Sequence, residues 1–167
     1  GDYIVFLNAG DKFHSASVLS EVAKCAESQP AVIYGNTDIV DDDGTFLYRR
    51  RLQPPPQLHW RSFRQGMLVC HQAFFARTDI AKENLYNLKY RYSADFDWCI
   101  RIMKTAERLG LPMVNAGIVV ADYLEEGMTT ANHRKSLFER FRIMAVHYGF
   151  LSTVWRHLYF VWRSVRR

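Results

Sequence analysis

Two carboxylates, Asp11 and Asp95, stand far apart in this chain, each where a fold can put an acid to work. Gly1-Asp2-Tyr3-Ile4-Val5-Phe6-Leu7-Asn8-Ala9-Gly10-Asp11 runs from an apolar, β-prone stretch into a small-residue turn carrying Asn8 and Asp11. Ligands of open α/β sheets sit outside the carboxyl ends of the strands. A carboxylate there can hold a divalent metal and, through it, a phosphorylated ligand. A turn that merely caps the next helix explains the same residues. Ser93-Ala94-Asp95-Phe96-Asp97 opens a second helix, whose macrodipole stabilises a negative charge. At the mouth of a cleft, Asp95 could accept a proton from a hydroxyl, which is general-base work. N-capping by Ser93 or Asp95 is the plainer alternative. Asp97, two positions on, points away from Asp95 on a helix, so at most one of them faces a given cleft.

His71 and Gln72 lie between Val69-Cys70 and Ala73-Phe74-Phe75. A histidine in such a run is most often a satisfied core residue, but two adjacent polar groups both need partners if buried. In a strand they point to opposite faces, so one of them looks into a site on a given side. Asp41-Asp42-Asp43-Gly44 resembles a metal cluster only superficially: Asp-Gly is a hairpin turn signature, and aspartates favour turns for local hydrogen bonding.

The elements that must carry these residues follow from periodicity. A strand is expected at 2–8 and a helix at 16–28, where Val18, Leu19, Val22, Ala23 and Ala26 repeat at helical spacing, ended by Pro30. Residues 31–36 form a short buried strand, and 37–40 and 45–50 a hairpin. Pro54-Pro55-Pro56 keeps 49–57 an extended loop. A short amphipathic segment holds Leu58, Trp60 and Phe63, and 66–75 is expected as a strand or extended segment. Residues 95–109 form a helix with Gly110 as its C-cap, 112–123 a strand, 124–132 a loop, and 134–148 and 151–165 two helices divided at Gly149. The fold class is α/β with a mixed sheet, its antiparallel portion contributed by the hairpin.

With 167 residues, 49% of them hydrophobic, the chain suits one domain with a real core. Cys25, Cys70 and Cys99 are odd in number and lack CxxC spacing, so a disulfide framework or zinc site is a poor reading and a cytoplasmic setting fits. Net charge is +5, unevenly spread: residues 134–167 hold eight basic residues against Glu139 alone, +7, leaving −2 for residues 1–133. That excludes a nucleic-acid fold basic across its face and marks a basic appendage that meets something anionic.

Four motifs in order carry a family resemblance: residues 1–11 as quoted; Cys70-His71-Gln72-Ala73-Phe74-Phe75; Tyr90-Arg91-Tyr92-Ser93-Ala94-Asp95-Phe96-Asp97; and Glu126-Gly127-Met128-Thr129-Thr130-Ala131-Asn132. Over residues 1–148 the chain resembles the carboxyl-terminal portion of a family 2 glycosyltransferase of GT-A fold, in the branch of colanic-acid and exopolysaccharide transferases. The resemblance implies an inverting transfer from a nucleotide-sugar donor to a hydroxyl of a glycan or lipid-linked acceptor, with Asp95 as base. It implies Mg²⁺ or Mn²⁺ held at Asp11 and Asn8 against the donor diphosphate. Asn8 and Gly10 stand where that motif commonly has acids, and Ala94 where Glu is frequent. His71, Gln72, Arg101, Thr129 and Thr130 take substrate-positioning roles by the same resemblance. Such enzymes place a nucleotide-binding half before the first strand seen here, so this stretch alone is expected to be catalytically deficient.

Residues 149–167 form a separate amphipathic segment. Leu151, Val154, Trp155, Leu158, Tyr159, Val161, Trp162 and Val165 lie on one face, and Arg156, Arg163 and Arg167 on the other. Aromatic anchors with flanking arginines suit a helix on an anionic bilayer, placing the protein peripherally on the inner face of the plasma membrane. A helix packed on the domain with solvated arginines is the alternative. Two rivals to sugar transfer stand beside these readings. One is a degenerate, non-catalytic GT-A-like binding or membrane-associated module. The other is a metal-dependent phosphohydrolase built on Asp11, Asp95 and His71, which lacks the clustered carboxylates of a two-metal site.

Overall fold

Apolar residues at helical spacing and β-branched runs produce an alternation of helices and strands around one mixed sheet. The structure, a computed structural model, describes residues 1–125 and 133–165. Its strands are β1 (Tyr3–Ile4), β2 (Lys12–Phe13), β3 (Val32–Val40), β4 (Phe46–Arg49), β5 (Phe74–Arg77) and β6 (Met113–Leu124). Its helices are α1 (Val18–Ala26), α2 (Thr78–Glu83), α3 (Ala94–Arg108), α4 (His133–Tyr148) and α5 (Phe150–Val165), with 3-10 turns at Trp60–Gln65 and His71–Ala73. The strands lie in the order β1-β5-β3-β6-β2, with β4 also on β3. The β3–β6 pairing is parallel and the remaining pairs are antiparallel, giving the mixed sheet expected from the sequence.

β3 is the spine. Residues 31–36 and 37–40, expected as two strands, form one continuous strand that β6 follows from Val32 to Val40. Gly35 is not a break but a point of close approach. A Cβ there would stand 2.6 Å from Val120 Cγ2 and 2.7 Å from the Ile118 carbonyl, where the β3–β6 register shifts. The hairpin to β4 closes over Asp41, whose carboxylate accepts the N–H groups of Asp43 and Thr45.

Two expectations fail locally. β1 spans two residues rather than 2–8: only Tyr3 and Ile4 pair, with Arg77 and Ala76 of β5. Of 66–75, expected as a strand or extended segment, only Phe74 and Phe75 are strand, and the chain reaches them through a 3-10 turn at His71–Ala73.

Two apolar clusters flank the sheet. One joins α3 (Phe96, Trp98, Ile100, Met103), α4 (Ile143, Met144, Tyr148) and Phe63 to Val32, Tyr34, Phe74 and Ala76. The other packs Val18 and Val22 of α1 on Ile33, Phe75 and Val120. Alternation along β3 and β5 assigns neighbouring residues to opposite clusters, as a strand covered on both faces requires. Leu109 is the C-cap of α3, and Gly110, expected there, follows it with a φ of 66°, the left-handed value that favours glycine after a helix.

Candidate active site

The 3-10 turn at His71–Ala73 does what a strand could not. Its neighbouring side chains diverge by about a third of a turn rather than half, so His71 and Gln72 both engage acids of the site. Gln72 is fully buried. Its Nε2 donates to Asp11 Oδ2 at 2.6 Å, and its Oε1 accepts the Cys70 thiol at 2.7 Å. A carboxylate only accepts, so this pairing fixes which way the amide points.

Asp11 is held from three directions. Its Oδ1 accepts the Leu124 N–H at 3.1 Å, and its Oδ2 also accepts the Asn8 N–H at 3.3 Å. The Asp11 N–H returns to the Asn8 carbonyl at 3.1 Å, closing the turn, while Asn8 itself remains exposed. Asp11 thus ties the loop after β1 to the end of β6 and to the His71–Ala73 turn.

His71 holds the second acid. Its Nδ1 lies 3.1 Å from Asp95 Oδ2, with the two side chains 14% and 22% exposed. Nδ1 must carry the proton, since the carboxylate has none to give. Burial raises the Asp95 pKa, but the His71 hydrogen bond and the charges of His71 and Arg140 outweigh it and hold the carboxyl below its usual value. Asp95 is therefore ionised at neutral pH and still reachable from outside. Asp11 and Asp95, distant in sequence, meet adjacent residues of one turn.

Asp97 faces the other way, as helical geometry requires. Its Oδ1 accepts His147 Nε2 of α4 and its Oδ2 accepts Arg101 Nε, both at 2.8 Å. Burial raises its pKa, but these partners hold it low on balance. On its other side the His147 ring meets Lys104, with Nδ1 2.9 Å from Lys104 Nζ. Arg101 also donates through Nη2 to the Leu85 carbonyl at 2.7 Å. It sits with Asp97, on the face of α3 away from Asp95. Thr129 and Thr130 lie outside the described residues.

The start of α3 is fastened in a way the sequence reading missed. Ser93 occupies the N-cap position, but its hydroxyl turns to Ser136 instead of capping the helix. Glu139 of α4 accepts the N–H groups of Arg91, Tyr92 and Ser93 at 3.0, 2.8 and 3.0 Å. The available signal was that Glu139 is the single acid in residues 134–167. Arg140, whose charge acts on Asp95, and half-buried Arg50, which donates to the carbonyls of Leu52, Met67 and Leu68, carry no role in the sequence analysis.

Among the described residues no group of three or more His, Cys, Asp or Glu side chains could hold a metal by itself. Asp11 offers one carboxylate and Asn8 one exposed amide. That donor set fits a Mg²⁺-type ion that takes most of its oxygens from phosphates and water, and does not fit a cage built from protein alone.

No family model matches the chain. It is 31% identical over 130 residues to the PGL/p-HBAD biosynthesis glycosyltransferase of Mycobacterium bovis, and equally to the protein of that name in Mycobacterium tuberculosis. The alignment takes in 76% of this chain but 46% of each relative, so the chain spans somewhat under half the length of the curated relatives it matches. By sequence, three-quarters of the chain is similar to part of a glycosyltransferase.

Proposed function

We propose that this chain carries the acceptor-side catalytic portion of an inverting, nucleotide-sugar-dependent glycosyltransferase of family 2 and GT-A type, with Asp95 as its general base. The observation that carries the reading is the His71-Gln72 pair, which engages Asp95 with one side chain and Asp11 with the next. The similarity to proteins named glycosyltransferases supports the reaction class.

The chemistry is a single displacement. An acceptor hydroxyl attacks the anomeric carbon, its proton passes to Asp95, and the bond to the donor diphosphate breaks, the electron pair leaving with the nucleoside diphosphate. A carboxylate held low in pKa is a weak base toward a free hydroxyl. Asp95 therefore works late, taking a proton that becomes acidic as the new bond forms. His71 fixes the carboxylate's direction through Nδ1. Asp11 and Asn8 face the diphosphate, with Gln72 holding Asp11 in place. Asp11 and Asn8 would hold a Mg²⁺ or Mn²⁺, which would neutralise charge on the diphosphate.

A second reading has its own observation. Every contact of Asp11 is also what a purely structural turn would make, and Asn8 and Gly10 replace the expected acids, so the chain would then be a non-catalytic binding module of the same fold. Asp95→Asn in the full-length protein separates the two. For the enzyme, turnover falls about 10²–10⁴-fold while donor affinity measured by calorimetry stays within twofold. Turnover retained within threefold removes Asp95 as the base.

A further inference from the structure

We propose that α5 is a docking helix for an anionic lipid bilayer, built with its apolar stripe turned away from the protein. An amphipathic helix packed on a domain ordinarily buries its apolar stripe. Here the reverse holds. Thr153 is 1% exposed and His157 sets its ring edge-on to Phe141 of α4, 5.0 Å between centroids. Thr153 also spends its hydroxyl inward, on the Gly149 carbonyl at 2.9 Å. The side of the helix bearing Thr153 and His157, with Phe150 edge-on to Phe141 at its start, is thus the docked side. Leu151, Trp155 and Leu158, spaced so as to share a face, are 83%, 75% and 59% exposed.

Charge selects the occupant. Residues 134–167 carry +7 while residues 1–133 carry −2, so the excess lies in the part of the sequence that includes α5. A cationic helix with an outward tryptophan and leucines combines headgroup attraction with shallow apolar insertion. No described helix is long and apolar enough to cross a membrane, so the contact is lateral. This inference does not depend on the sugar-transfer reading.

The test is co-sedimentation of the 167-residue chain with vesicles of phosphatidylcholine alone and of phosphatidylcholine with phosphatidylglycerol. Binding is expected to the anionic vesicles, weakened several-fold as salt rises from about 0.1 to 1 M. The exposed-face variant Leu151→Ser/Trp155→Ser/Leu158→Ser should bind on the order of a hundredfold more weakly while its circular dichroism is unchanged. Arg156→Glu, which leaves the stripe intact, should lower binding to the anionic vesicles only. Equal binding of the triple variant and the parent overturns the proposal. So does self-association through the stripe, seen by ultracentrifugation, without vesicle binding.

Discussion

At the scale of single residues, each helical carboxylate is matched to a histidine on a different element. His71 takes Asp95 and His147 takes Asp97, so one helix sends two acids to two environments. The helical two-residue offset made their divergence legible in the sequence. The partners were not, because nothing local to residues 93–101 announces a histidine some fifty residues on. Both carboxyls are held below their ordinary value of 3.8 in the folded state, despite burial, by these partners and nearby arginines. A depressed folded pKa contributes stability that is fully present above the unfolded value and is lost as pH falls through the folded one. Stability is therefore expected to be flat in these two groups above about pH 5 and to decline from about pH 4 downward. Asp97→Asn should be less stable than the parent at neutral pH, with the gap narrowing below about pH 4. Urea denaturation of both proteins from pH 2.5 to 7 reads this directly; a gap independent of pH would mean that Asp97 acts through shape rather than charge.

At the scale of elements, periodicity found α1, α3, β6, the hairpin and the two terminal helices, because each is long or carries a strong turn or cap. It split β3 in two, because Gly35-Asn36 looks like a strand's end when the close approach of Val120 is unseen. It also reads 66–75 as a strand or extended segment, where apolar composition does not distinguish extended chain from a 3-10 turn. That error mattered for the site: a strand would have sent His71 and Gln72 to opposite faces, and the turn lets both reach its acids. The link between α4 and the start of α3 is likewise tertiary. Glu139 accepts three consecutive N–H groups leading into the helix that bears Asp95, a stronger anchor than the side-chain cap that Ser93 forgoes. Glu139→Gln keeps the shape but removes the charge, and should cost about 1.5–3 kcal/mol in chemical denaturation. Hydrogen exchange should quicken at the amides of Arg91, Tyr92 and Ser93 ahead of those in the middle of α3. Unchanged protection at those three amides would show that the loop is held by something else.

At the scale of the molecule, the two terminal helices are not equivalent, although the sequence draws them as a pair divided at Gly149. α4 places Ile143, Met144 and Tyr148 in the larger apolar cluster, and Tyr148 stacks on Trp60 with centroids 5.2 Å apart while its hydroxyl donates to the Trp60 carbonyl. α5 contributes no side chain to either cluster among the described residues; its buried Thr153 is polar and self-satisfied. Loss of α4 thus removes several core side chains, each worth about 2–5 kcal/mol, from a total margin of about 5–15 kcal/mol. Loss of α5 removes a surface contact. A chain ending at Gly149 should unfold cooperatively within a few degrees of the parent, whereas one ending at Asn132 should fail to give a cooperative transition. Calorimetry of the two shortened chains checks both halves. If the chain ending at Gly149 collapsed as well, α5 would belong to the core, and its outward leucines and tryptophan would have to be explained as part of folding rather than as a surface held ready for lipid.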